Sequence, residues 1–89
     1  MKVELFQNAG CKRCAAARDE LKALAERTVP GVEWRIVDAA AEVDYAVAVG
    51  VMSLPAVAVD GQLAFSSLPT SDQLSRELLR RFQAGGHGR

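Results

Sequence analysis

Eighty-nine residues suffice for one domain with a single small core, and 49% hydrophobic against 25% charged residues places the chain among soluble globular proteins. Eleven Lys and Arg balance eleven Asp and Glu, and this neutrality argues against a nucleic-acid or anionic-membrane partner. Met1-Lys2-Val3-Glu4 sets charge inside the first apolar stretch, so neither a signal peptide nor a transmembrane span is expected and the protein is expected in the cytoplasm.

Val3, Leu5 and Phe6 read as a short strand, and Asn8-Ala9-Gly10 as a loop. From Cys11 onward the pattern turns helical. Ala17, Leu21, Leu24 and Ala25 recur at helical spacing, with Arg18, Asp19, Glu20, Lys22 and Glu26 outside the stripe. Pro30-Gly31 ends that helix. Val32-Glu33-Trp34-Arg35-Ile36-Val37 then alternates as a second strand, with Trp34 expected in the core on the face it shares with Val32 and Ile36.

Residues 39–49 have helix propensity and the Val43, Ala46, Val47 spacing, with Gly50 as the C-cap and Tyr45 as partly buried packing. Met52-Ser53-Leu54-Pro55 leads into an apolar strand, Ala56-Val57-Ala58-Val59, and Asp60-Gly61 signals a tight hairpin into Gln62-Leu63-Ala64-Phe65. Thr70-Ser71-Asp72-Gln73 fits a capping box opening a last helix, whose apolar stripe is Leu74, Leu78, Leu79 and Phe82. Arg76, Arg80 and Arg81 read as that helix's solvated face in preference to a docking patch for an acidic partner. Gly85-Gly86 stops it, so the domain is expected over residues 1–84 and a flexible tail over 85–89.

The expected order is βαβαββα. The first strand, helix and second strand make a right-handed parallel unit, and the last two strands extend the sheet antiparallel. The fold class is α/β, a four-stranded mixed sheet with helices on both faces.

Cys11-Lys12-Arg13-Cys14 contains both cysteines of the chain and falls where the first strand gives way to the first helix. At a helix N-terminus, unpaired N–H groups and the positive end of the macrodipole favour a thiolate, and Lys12 and Arg13 add two cations. Cys11 is therefore expected as an activated nucleophile, with its pKa below that of an ordinary thiol. Cys14, almost one helical turn on, is placed to attack a mixed disulfide formed by Cys11. Two other readings remain open: ordinary small buried residues, or a soft-metal-binding module using the same thiols. The sole histidine, His87, lies in the Gly-Gly-His-Gly-Arg tail and no second ligand pair is present, so a closed zinc site would need another chain. In a cytosol that keeps thiols reduced, a close cysteine pair points to catalysis or metal handling more than to a structural staple.

Cys11-Lys12-Arg13-Cys14 after a first strand, with Gly50-Val51-Met52-Ser53-Leu54-Pro55 before a third, resembles the thioredoxin and glutaredoxin family across residues 2–83. The resemblance implies a thioredoxin-like fold and a thiol-disulfide oxidoreductase. It also implies a cis proline at Leu54-Pro55 that shapes the surface where substrate backbone docks. Thioredoxins carry an aromatic before the first cysteine, Gly-Pro between the two, and a buried acid in the preceding strand. Here Gly10, Lys12-Arg13, and Leu5 and Phe6 occupy those places. Glutaredoxins hold glutathione with a Gly-Gly pair and acidic residues. Here Ser66-Ser67-Leu68-Pro69 lacks the glycines, while Ser71 and Asp72 lie where a glutathione amine would be met. The resemblance thus implies a monomer without cofactor that acts on disulfide-containing proteins, with a reductase or glutathione as electron donor.

Overall fold

The computed structural model describes residues 1–8 and 13–85, and side chains over 1–8 and 16–83. The elements follow the expected order: β1 (Lys2–Gln7), α1 (Arg13–Thr28), β2 (Glu33–Asp38), α2 (Val43–Val49), β3 (Ala56–Val59), β4 (Gln62–Phe65) and α3 (Ser71–Gly85). The sheet order is β2-β1-β3-β4, with β1 and β2 parallel and the β1–β3 and β3–β4 pairs antiparallel. Among the described residues no helix is long and apolar enough to cross a membrane. Residues 86–89, and with them His87, lie outside the described residues.

Strand alternation divides the core into two layers. Val3, Leu5, Val57 and Val59 pack with Leu21 and Ala25 of α1 and Leu74 and Leu78 of α3 on one side of the sheet. Phe6, Ala56 and Ala58 pack with Val37, Ala39 and Ala46 on the other, the side covered by α2. Full burial of a Val, Leu or Phe side chain is worth about 1.5 to 3 kcal/mol, so the larger layer under α1 and α3 carries most of the apolar stabilisation. A bulge between Val57 and Ala58 in the β3–β4 register brings both Ala64 and Phe65 against that layer.

Local signals set the boundaries. Gly31 at φ +85 follows α1, and Asp60 (φ 51) with Gly61 (φ +80) makes the hairpin turn that positive-φ residues allow. Gly50, left-handed at φ 101, sends its N–H to the carbonyls of Ala46 and Val47 and so closes α2. At α3, Gln73 N–H donates to Thr70 Oγ1 at 3.1 Å while Thr70 N–H donates to Gln73 Oε1 at 2.9 Å, a reciprocal capping box.

The structure corrects three expectations. α2 begins at Val43 and not at residue 39, because Asp38 captures the intervening segment as a turn. Its Oδ1 accepts from Ala40 N–H, and its carbonyl accepts from the N–H groups of Ala41 and Glu42. Trp34 is half-buried and packs beside the α1/α3 layer instead of entering it, and Ile36 is exposed, because β2 is an edge strand. Among the described side chains of α3 only Leu74 and Leu78 are buried; Leu79 and Phe82 stand at the exposed margin of the stripe.

Candidate functional site

Of the four residues singled out for chemistry, Cys11 and Lys12 lie outside the described residues, and Arg13 and Cys14 are described by backbone alone. Arg13 and Cys14 are the first two described residues of α1, whose first turn contains no acidic residue. Cys14 therefore belongs to the turn where free N–H groups and the helix dipole favour negative charge.

The sheet brings the proline turn to the same place. Phe6 near the end of β1 is in register with Ala56 at the start of β3. Leu54-Pro55, immediately before Ala56, therefore lies beside Gln7-Asn8, the stretch from which the dithiol segment departs. The Leu54-Pro55 peptide bond is cis, and both residues are half-buried. Ser53 Oγ donates to the Ser66 carbonyl at 2.8 Å, tying the segment before β3 to the one after β4. Ser66, Ser67 and Asp72 are exposed.

A groove of about 250 Å³ opens at this end of the sheet, lined by Asn8, Val43, Val47, Val51, Met52 and Leu54, with Ala39, Ala40, Ala46 and Ser53. None of these residues is ionisable. Met52 is 95% exposed, Val47 68% and Val43 57%, so the groove is flanked by aliphatic side chains without protein cover. Such a surface can take an apolar side chain of a polypeptide, whereas the carboxylates and amine of glutathione would meet no opposite charge among its described lining residues.

A polar cluster joins α2 to β1 and β2, and the sequence reading missed it. Glu4 is fully buried on β1, on the α2 side of the sheet. Its Oε1 accepts from the Tyr45 hydroxyl at 2.5 Å, and its Oε2 accepts from Arg35 Nη1 at 3.2 Å. Arg35 Nη2 reaches both carboxylate oxygens of Glu42 at 3.1 Å, and Tyr45 stacks at a tilt on Phe6 with centroids 5.7 Å apart. The Glu4 bond, then burial, raises the pKa of Tyr45, with Arg35 pulling the other way. An acid is thus buried in β1 after all, one position before Leu5, and Tyr45 is more than packing. The available signal was a carboxylate between Val3 and Leu5, a site that a strand buries only when a partner compensates the charge.

Gln7, at the end of β1, is 8% exposed, and its Oε1 has no hydrogen-bond partner among the described residues. Among the described residues no group of three or more His, Cys, Asp and Glu could hold a metal ion. Of the arginines of α3, Arg80 and Arg81 both pair with Glu77 and Arg81 also donates to Gln62, while Arg76 is exposed.

Comparison with known proteins gives three findings. A thioredoxin-domain family profile matches residues 1–79. A thioredoxin of Methanocaldococcus jannaschii is 26% identical over 81 residues, covering 91% of this chain and 95% of that protein. A solved structure described as a malarial protein superposes with a TM-score of 0.66 at 20% identity, covering 90% of this chain and 93% of the other, a likeness of fold.

Proposed function

The chain belongs to the thioredoxin family, and on that footing we propose that it is a thiol-disulfide oxidoreductase that reduces protein disulfides through Cys11 and Cys14. The Cys11 thiolate attacks one sulfur of the substrate disulfide, forming a mixed disulfide and expelling the other sulfur as a thiolate. Cys14, deprotonated in turn, attacks the Cys11 sulfur and releases the second substrate thiol. The substrate gains two electrons and two protons, and the protein is left with a Cys11–Cys14 disulfide. An external electron donor, either the dithiol of a reductase or two molecules of glutathione, returns it to the reduced state. Lys12 and Arg13 favour the attacking thiolate, and Leu54 and Pro55 border the surface where the substrate backbone lies. A reducing cytoplasm would keep such a dithiol charged, and the protein would work there as a monomer without a cofactor.

The observation that carries this reading is the placement of Cys14 in the opening turn of α1, at the sheet end where Leu54-Pro55 also lies. The aliphatic groove beside it, with no ionisable residue among its described lining, supports a polypeptide substrate over glutathione. Reduction of insulin disulfides by the dithiothreitol-driven protein tests the proposal. Turnover should vanish in Cys11→Ser, and pre-reduced Cys14→Ser mixed with insulin after removal of dithiothreitol should trap a mixed disulfide. Full turnover by Cys11→Ser would refute it.

A further inference from the structure

We propose that Tyr45, Glu4 and Arg35 are positioning residues that set the substrate groove by clamping α2 to the sheet. The inference rests on the reading of that groove as the surface where a protein substrate docks.

α2 has seven residues, too few to hold a helix by its own hydrogen bonds, and Ala46 is its one buried residue. Apolar packing alone therefore anchors it weakly. The polar cluster supplies the rest at two points: Tyr45 reaches Glu4 on β1, and Glu42, the residue before the helix, meets Arg35 on β2. Arg35 also donates to Glu4, so one guanidinium links both anchors. A wholly buried carboxylate is costly unless such partners compensate it, and an aliphatic residue at position 4 would satisfy the layer of Phe6 and Ala58 at lower cost. What the carboxylate adds is a directed bond to the helix.

The same short helix gives the groove Val43 and Val47, both exposed. Fixing Tyr45 and Glu42 against the sheet fixes where those two side chains stand relative to Met52 and Leu54. A protein substrate that fills the groove is sensitive to that spacing. A small disulfide, with nothing to place there, is not.

The test compares wild type, Tyr45→Phe and Glu4→Gln in single-turnover oxidation of the reduced protein by insulin and by bis(2-hydroxyethyl) disulfide, together with amide hydrogen exchange across α2. In Tyr45→Phe, α2 amides should exchange faster while β3 and α3 hold. The half-saturating insulin concentration should rise about three- to tenfold, as expected for one lost hydrogen bond, with the limiting rate and the small-disulfide rate unchanged. Glu4→Gln puts an amide donor where one carboxylate oxygen accepted, so it loses one of the two bonds from Tyr45 and Arg35 and should shift α2 exchange and the half-saturating insulin concentration in the same direction as Tyr45→Phe. Unchanged α2 exchange in Tyr45→Phe, or an equal loss with both disulfides, overturns the proposal. Should Tyr45→Phe not fold, Glu42→Ala, which releases the second anchor at a partly exposed position and leaves the Arg35–Glu4 pair in place, is held to the same criteria. A wild type oxidised by neither disulfide would overturn the dithiol reading, and hydrogen exchange would still judge the clamp.

Discussion

The Tyr45 hydroxyl donates to Glu4 Oε1 at 2.5 Å, so a helix residue is bonded to a strand residue 41 positions earlier, at a carboxylate closed off from solvent. This bond, ahead of burial, raises the Tyr45 pKa above its ordinary value of 10.0. The folded protein therefore holds this proton more tightly than the unfolded chain. The resulting stability is complete below the unfolded pKa and is lost as pH rises through the folded one. Tyr45→Phe should lose about 1 kcal/mol at neutral pH and show a flatter alkaline limb of stability. Urea unfolding midpoints from neutral to strongly alkaline pH check both.

Glu77 governs the acid side. Its hydrogen bond from Arg80, joined by that from Arg81 and opposed by burial, lowers its pKa below the ordinary 4.5. A depressed carboxylate contributes stability above the unfolded pKa and loses it as pH falls through the folded value. Glu77→Gln should cost about 0.5 to 1 kcal/mol near pH 7 and nothing once the carboxylate is protonated. Denaturant titrations of both proteins at neutral and acid pH would show the difference closing.

In the core, Leu78 on α3 is fully buried in the layer with Val3, Leu5 and Leu21. Leu78→Ala should destabilise by about 2 to 5 kcal/mol through lost transfer energy and a residual cavity. Thermal unfolding measures it, and a loss under 1 kcal/mol would contradict the tight packing described here.

Met52, 95% exposed at the groove, should behave in the opposite way. Met52→Asp should leave the melting temperature nearly unchanged, since surface substitutions fall within about 0.5 kcal/mol. It should weaken insulin binding by placing a charge where an apolar side chain docks. Equal insulin saturation curves for both proteins would show that the substrate does not use this groove.

For the dithiol itself, the expected outcome is that Cys11 titrates below an ordinary cysteine and reacts with iodoacetamide before Cys14. Thiolate absorbance against pH, in wild type and in Cys14→Ser, reads this directly. Replacing Lys12 and Arg13 with serine should move the titration upward, because two neighbouring cations are lost.

Elements whose signals are local were legible in the chain. Asp60-Gly61 announces its hairpin because the turn needs positive φ, Thr70 and Gln73 announce the start of α3 because capping is a matter of three residues, and Gly50 announces the end of α2. The start of α2 was not legible. Alanines 39–41 have high helix propensity, and a single Asp38 side chain outcompetes it. The Glu4 cluster was hidden for another reason: Arg35 and Tyr45 lie 31 and 41 residues away, and only the parallel register and the crossover to α2 bring them together. Trp34 was misplaced because alternation tells which face a residue shares but not whether its strand is central or at an edge.

The sheet order leaves β2 and β4 as its two open borders. An open border is a template on which any extended polypeptide can add itself, the first step towards fibrous aggregates. Each border is blunted differently. β4 has four residues and carries the bulge, which twists its hydrogen-bonding groups out of line. β2 is longer but has Glu33, Arg35 and Asp38 along it, so an added strand would have to accommodate charges of both signs at fixed positions. Arg35 thus has a second consequence: the guanidinium that secures Glu4 inside also helps keep this border closed to stray chains, and a neutral replacement there would trade solubility as well as order.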